Sequence, residues 1–340
     1  MKILLIKLSS LGDVLHNIPI VWDLRRSYPE AEIDWVTEET YIDLLAPLLS
    51  NDDYRGIDQI IPINLRQWKK NIKSLSQIKK TIKEFKAFKK LLQEKKYDLI
   101  IDTQGLIKSA IVGFLARKTK KGLFLGLGNK TKNSSYEGLS KIFYTTPIPT
   151  PFRCRAVDRS RYLAAAATKT EINSFPPPSF YPNVFLKKLT QNLLPPNYIL
   201  CFHATARDEK RWPNENWIQL GQALAKEGYI LVFPWGNLKE KATSDLLTAQ
   251  IPQAIVPEKF SLTTAFGLIT NAKLIIGVDT GLTHVSAALN APTIEIYCAT
   301  LRWRYEGYWS PKIKNLGDKD NSPSVETVLE AAEFLLKKYF

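Results

Sequence analysis

Ile3-Leu4-Leu5-Ile6-Lys7-Leu8-Ser9-Ser10-Leu11-Gly12-Asp13 stands near the start of the chain. An apolar run that breaks into a small-residue turn predicts a strand delivering polar groups to the carboxyl edge of a parallel sheet. In open α/β sheets that edge is where ligands bind. The turn supplies two hydroxyls, a glycine free in φ and a carboxylate able to act as a base. Far downstream, Ile275-Ile276-Gly277-Val278-Asp279-Thr280-Gly281 repeats the arrangement. Two such edges predict an α/β chain with two doubly wound parallel sheets facing each other across a cleft.

The pattern between them supports this. Residues 2–8, 32–37, 58–63 and 98–102 read as strands, and 14–27 and 155–167 as helices. Residues 77–96 read as an amphipathic helix, with Ile78, Ile82, Phe85, Phe88, Leu91 and Leu92 at helical spacing and lysines opposite. Residues 126–151 read as a surface loop. Pro176-Pro177-Pro178 and Pro195-Pro196 mark a proline-rich passage. Alternation then resumes. Strands are expected at 198–202, 229–233, 254–256, 274–278 and 293–297, and helices at 214–226, 238–248, 262–270, 282–289 and 325–339. Ser261 is the expected cap of the helix at 262–270. The predicted partition is a first Rossmann-like domain over 1–180, a linker over 181–196 and a second such domain over 197–322. A terminal helix over 323–340 is expected to pack back on the first domain.

A chain of 340 residues is long for one core. No apolar run approaches the ~20 residues that span a bilayer, and the start is read as lacking a signal peptide. Cys154, Cys201 and Cys298 are widely spaced and suit a reducing compartment. With His16, His203 and His284 they form no metal-ligand spacing. The net charge is +14, and it is uneven: 12 Lys/Arg against 2 acids lie between Arg66 and Lys96. A second basic stretch without acids runs from Arg117 to Lys132. Such concentration points to an anionic partner: a phosphorylated substrate, an acidic membrane surface or nucleic acid. The plainer alternative is a solvated helix face.

There is no P-loop and no G-x-G-x-x-G after the first strand. Three other segments offer chemistry. His203-Ala204-Thr205-Ala206-Arg207-Asp208-Glu209-Lys210-Arg211-Trp212-Pro213 follows a strand with a hydroxyl and three cations suited to a diphosphate. Asp279-Thr280-Gly281-Leu282-Thr283-His284 opens a helix whose first amides could hold an anion, although Asp279 could equally be an ordinary cap. Pro234-Trp235-Gly236 ends a strand, with Glu240 just beyond it.

These segments, with Lys7-Leu8-Ser9-Ser10-Leu11-Gly12-Asp13-Val14-Leu15-His16, Asp34-Trp35-Val36-Thr37-Glu38-Glu39 and Asp102-Thr103-Gln104-Gly105-Leu106-Ile107-Lys108-Ser109, resemble the bacterial lipopolysaccharide heptosyltransferases. Those are glycosyltransferases of GT-B architecture. The resemblance is strongest to the branch that adds the first heptose of the inner core. It implies ADP-L-glycero-β-D-manno-heptose as donor, Kdo on lipid A as acceptor, and an inverting transfer without metal or other cofactor. Asp13 would be the general base and Lys210 the cation neutralising the diphosphate. Ser9 and Ser10 would flank the base, Thr205 would bind the diphosphate, and Glu240 the adenosine ribose. Asp279 would bind the heptose, with Thr280, Gly281 and His284 at the diphosphate. Arg66, Lys69 and Lys70 would bind the acceptor. The family favours arginine where Gln67 and Lys69 stand, and a second threonine where Ala206 stands. A cytoplasmic monomer, peripheral at the inner membrane surface and binding no nucleic acid, is expected. The competing expectations are a heptosyltransferase acting later in the core, which substrate preference would separate, and a basic nucleic-acid-binding protein, which salt-dependent binding would reveal.

Overall fold

The structure, a computed structural model, describes residues 1–71, 75–187 and 194–340. The chain divides into two units, Met1–Ser179 and Phe180–Phe340.

The first unit runs β1 (Lys2–Ile6), α1 (Leu11–Leu15), α2 (Pro19–Ser27), β2 (Glu32–Glu38), α3 (Ile42–Leu45), β3 (Gln59–Ile63), α4 (Leu65–Asn71) and α5 (Leu75–Leu92). It continues with β4 (Lys96–Asp102), α6 (Ile107–Leu115), β5 (Arg117–Leu127), β6 (Thr146–Ile148) and α7 (Ala156–Thr168). Its sheet has the order β3-β2-β1-β4-β5-β6, and all neighbours are parallel. β1 is central and covered on both faces, so Ile3, Leu4, Leu5 and Ile6 are all fully buried rather than alternating. Leu4 and Ile6 share one core with Phe88 and Leu92 of α5 and Ala110 and Val112 of α6. The strand order reverses between β1 and β4, so the loops after these two strands meet at the switch point.

Three local expectations are corrected here. The helix expected over 14–27 is two helices, because Pro19 has no N–H to continue the first ladder and instead opens α2. The helix expected to reach residue 96 stops at Leu92, and β4 already starts at Lys96. The surface loop expected over 126–151 contains the end of β5 and all of β6. β5 was hidden because its first half is an exposed lysine-rich run, and its pairing with β4 shifts register between Tyr97 and Leu99.

The second unit runs α8 (Asn183–Lys187), β7 (Tyr198–Phe202), α9 (Asn214–Lys226), β8 (Ile230–Val232), α10 (Leu238–Thr248), α11 (Leu262–Asn271) and β9 (Leu274–Val278). α12 (Gly281–Ala288), β10 (Thr293–Tyr297), α13 (Arg302–Tyr305), β11 (Ile313–Gly317) and α14 (Val325–Tyr339) follow. The order is β11-β10-β9-β7-β8, again parallel throughout. The switch point lies between β7 and β9. Gly277 lets α12 close on β9, since a Cβ there would stand 2.1 Å from Thr283 Oγ1. Residues 254–256 make one bridge, Val232 to Ile255, in place of the expected strand. Ser261 caps α11 as expected, accepting from the Thr264 amide at 3.1 Å.

The terminal helix has its apolar face within the second unit. α14 buries Val328, Ala332, Leu335 and Leu336 in that unit's own core, beside Trp212, Trp217 and Leu220. The start of the expected linker, and Phe180 just before it, belong to this unit. The Phe180 ring meets Trp309 at 4.6 Å and the Tyr181 ring meets Phe266 at 5.5 Å. Residues 188–193 of that linker lie outside the described residues. Among the described residues, no helix is long and apolar enough to cross a membrane.

α2 and α7 are tied by a buried ion pair: Arg161 Nε reaches Asp23 Oδ2 at 2.8 Å and Nη2 reaches Oδ1 at 3.1 Å. Replacing Arg161 strands a buried carboxylate, which typically costs about 3–5 kcal/mol, whereas an apolar pair in its place is near neutral. Urea unfolding of Arg161→Met should show that loss, and Asp23→Leu/Arg161→Met should regain most of it. A single variant as stable as wild type would refute the account.

Candidate active site at two sheet edges

The first edge is built from the loops after β1 and β4. Ser10 caps α1, and Asp13 turns back onto it: the Ser10 amide donates to Asp13 Oδ2 at 3.1 Å and the Ser10 hydroxyl at 2.8 Å. Burial works to raise the Asp13 pKa, but the Lys7 charge and the two Ser10 donors outweigh it. Asp13 is therefore held ionised, below its ordinary value. Ser9 is buried, and its amide donates to Gln104 Oε1 at 3.4 Å, as the Leu8 amide does at 3.1 Å.

Gln104 is itself placed by Asp102 at the end of β4. Asp102 is fully buried and accepts from Ser109 Oγ and Tyr144 Oη, each at 2.8 Å, and from the amides of Gln104 and Gly105 at 2.8 and 3.3 Å. The turn needs a left-handed residue, which Gly105 supplies with φ +72°. Burial raises the Asp102 pKa against those four donors. It acts as an anchor, and its hydrogen bonds transmit order through Gln104 to the turn carrying Asp13.

Arg66, Lys69 and Lys70 all lie exposed on α4, at the same end of the sheet. The Arg66 guanidinium sits over the Tyr41 ring at 5.8 Å. Its charge, with that of Lys108, also acts on Glu38 at the end of β2, opposing the upward shift that burial imposes. Glu38 Oε1 is buried with no hydrogen-bond partner, and the Glu38 amide donates to the Leu8 carbonyl at 3.1 Å. The basic segment and the Asp13 turn thus share a neighbour that sequence reasoning did not single out.

The second edge gathers four of the expected residues. Asp279, at the end of β9, is 5% exposed. Its Oδ2 accepts from Lys210 Nζ and from Thr300 Oγ1, each at 2.6 Å, and its Oδ1 lies 2.9 Å from His284 Nε2. Its main-chain carbonyl accepts from Thr205 Oγ1 at 3.3 Å. His284 Nδ1 lies 2.9 Å from Glu295 Oε1, and Glu295 Oε2 accepts from Tyr297 Oη and the Gly307 amide, each at 2.9 Å. Burial alone would strip the His284 proton. The Glu295 and Asp279 carboxylates on either side reverse this and carry its pKa to about 10. Burial likewise works against the Asp279 charge, but His284 and Lys210 hold that carboxyl far below the usual range. The result is a cationic imidazolium and a lysine sharing one carboxylate at the sheet edge.

Thr280 and Gly281 stand where α12 begins, with Thr280 as N-cap and no acid in the first turn to occupy the free amides. Glu240 makes a different set of hydrogen bonds. It accepts from the Gly236 amide at 2.7 Å and from Asn237 Nδ2 at 2.6 Å, at the start of α10. Glu295 and Thr300 were missed. Glu295 left one signal, a lone carboxylate inside the buried strand Thr-Ile-Glu-Ile-Tyr. Thr300 left none, because a loop hydroxyl is unremarkable until folding brings it to Asp279.

Two parallel-sheet units, each presenting polar groups at its switch point, form the GT-B architecture, and a family match makes this chain a glycosyltransferase. The model of glycosyltransferase family 9 (heptosyltransferase) matches residues 85–333, and the chain belongs to that family. It is 33% identical over 304 residues to lipopolysaccharide heptosyltransferase 1 of Escherichia coli K12, covering 88% of each chain. To the enzyme of the same description from Pseudomonas aeruginosa PAO1 it is 32% identical over 302 residues, covering 88% of this chain and 79% of that one. Among solved structures, E. coli heptosyltransferase WaaC with ADP superposes with a TM-score of 0.83 at 29% identity, covering 98% of this chain and all of that one.

The His284 charge has a measurable sign. The folded ring keeps its proton to about pH 10, while an unfolded ring loses it near 6.5. Its stabilising contribution is complete below pH 6.5, declines through the window from 6.5 to 10, and is lost above it. The stability difference between wild type and His284→Gln should therefore be largest at pH 6 and shrink by pH 9.5. A difference that stays constant or grows with pH would show that the ring is neutral.

Proposed function

We propose that this protein transfers L-glycero-D-manno-heptose from ADP-heptose to Kdo of lipid A in lipopolysaccharide inner-core synthesis, with inversion and without a metal. The observation that carries this reading is the charge arrangement of the two edges: an ionised carboxylate on the first, and a lysine–imidazolium–aspartate cluster beside a helix N-terminus on the second. Solved structures of E. coli WaaC with ADP and with ADP-2-deoxy-2-fluoro heptose support the donor; the second has a TM-score of 0.77 at 28% identity.

In this reading Asp13 takes the proton from the attacking Kdo hydroxyl as it displaces ADP at the anomeric carbon. Ser10 donates only to Oδ2, which leaves Oδ1 to meet that hydroxyl. Ser9 helps shape the turn. ADP leaves with growing negative charge. Lys210 and the amides of Thr280 and Gly281 offset it, the task a divalent ion performs elsewhere, while Thr205 adds a hydroxyl. Lys210 rests on Asp279 at 2.6 Å, so donor binding must draw its ammonium toward the diphosphate or let it bridge both. Asp279 holds the heptose hydroxyls, with its charge fixed by His284, and Glu240 holds the ribose.

Arg66, Lys69 and Lys70 meet the carboxylate and phosphates of the acceptor. The exposed lysines of α5 face the anionic cytoplasmic surface of the inner membrane, where a monomer would act as a peripheral protein. Transfer requires donor and acceptor edges to be brought together before reaction.

The test is ADP release from ADP-heptose with de-heptosylated Kdo–lipid A in EDTA. Wild type should turn over. Asp13→Ala should lose about 10²–10⁴ in kcat and Lys210→Ala about 10²–10³. Wild-type turnover abolished by EDTA and restored by a divalent ion would end the metal-free reading. Full activity in Asp13→Ala would remove the base. Preference for an already heptosylated core would reassign the enzyme to a later step.

A further inference from the structure

On one face of the first sheet, α5 and α6 do not close over the core. Between them lies a groove of about 470 Å³, within the ~300–1,000 Å³ typical of small-ligand sites. Trp68, Phe85 and Phe88 stack edge-on along it, with ring centroids 5.9 and 6.0 Å from Trp68. Ile82 and Ile111 wall it and are left 49% and 41% exposed. Among the described residues, the only neutral hydroxyl or amide side chain in the lining is Thr81. Both remaining polar residues, Lys69 and Lys108, are exposed lysines.

We propose that this groove holds an acyl chain of the lipid that carries the acceptor sugar. The idea rests on the acceptor assignment above and adds a binding site for the part of the substrate remote from the reaction. Two observations select this occupant. The first is charge: an apolar slot with lysines at its rim, on a helix bearing Lys79, Lys80, Lys83 and Lys86 on its exposed side, matches an anionic head on an apolar tail. A peptide would instead bring main-chain N–H and C=O groups that this lining cannot satisfy. The second is continuity. Lys69 of the groove lies on α4 with Arg66, and Lys108 of the groove acts with Arg66 on Glu38, whose amide pairs with Leu8 one residue before Ser9. The groove therefore shares charged residues with the surroundings of the first edge.

Each buried methylene is worth about fourfold in affinity, so blocking even two should cost about tenfold or more. The experiment compares acylated Kdo–lipid A, dispersed in detergent, with the same acceptor stripped of its acyl chains. The enzymes are wild type, Ile111→Trp to fill the groove, and Ile82→Asp to make its wall polar. Both sites are half-exposed, so folding should survive, which thermal unfolding and ADP-heptose affinity would check. The expected result is a KM at least about tenfold higher for the acylated acceptor only, with kcat and the KM for the stripped acceptor within about twofold. Equal effects on both acceptors, or on neither, would overturn the proposal.

A readout independent of turnover keeps the two readings apart. Lipid A brominated on its acyl chains should quench tryptophan emission in wild type, and Trp68→Phe should lose part of that quench. Quenching through Trp68 without turnover would uphold the groove and refute the acceptor assignment. Turnover without such quenching would refute the groove. Equal quenching by vesicles of brominated phosphatidylethanolamine would assign the groove to bulk bilayer lipid and overturn the proposal.

Discussion

Each unit of this protein depends on one buried carboxylate at the carboxyl end of a strand beside the switch point. In the first unit it is Asp102, and in the second it is Asp279. Burying a carboxylate is costly unless its oxygens are satisfied, so the surrounding loops are obliged to supply donors. Around Asp102 all four donors are neutral: a serine, a tyrosine and two amides. They hold a loop shape and pass it through Gln104 to the turn after β1. Around Asp279 the donors include a lysine and an imidazolium, so the same burial produces a concentration of charge instead. One position in the fold thus serves as an anchor in one unit and as the centre of a charge cluster in the other.

The positive charge of the chain also divides. Its densest concentration lies on exposed faces of α4, α5 and β5, where each charge is solvated and screened individually. A small part is drawn into the second edge, where Lys210 and His284 are partly or fully desolvated against Asp279 and Glu295. Only the latter is fixed by short, buried ion pairs. Net charge alone could not separate these uses, which is why it also admitted a nucleic-acid reading that membership of family 9 supersedes.

Most of the fold was legible because parallel strands covered on both faces leave continuous apolar runs. Ile3 to Ile6, Leu99 to Ile101 and Leu274 to Val278 are such runs, each followed closely by small polar residues, from Ser9, Asp102 and Asp279 onward. β5 was not legible, because Lys118, Lys120 and Lys121 stand exposed in a strand whose buried half begins only near Phe124. The break before Pro19 was written in the sequence but lost in an otherwise helical pattern. At the sites, Asp13, Lys210, Asp279 and His284 sit in motifs short enough to read, whereas Thr300 contacts Asp279 from 21 positions away.

The sequence by itself determined two α/β units and the turns that carry polar groups to their edges. Local spacing encodes burial, and glycine, serine and aspartate encode the turns. Tertiary structure alone decided which donors meet which carboxylate, because those pairs are set by strand order and not by distance along the chain. It likewise placed α14. The helical stripe of Val328, Ala332, Leu335 and Leu336 required an apolar surface, and either sheet could have offered one. The second unit's core, with Trp212 and Trp217 beside β7 and β9, is the surface it covers.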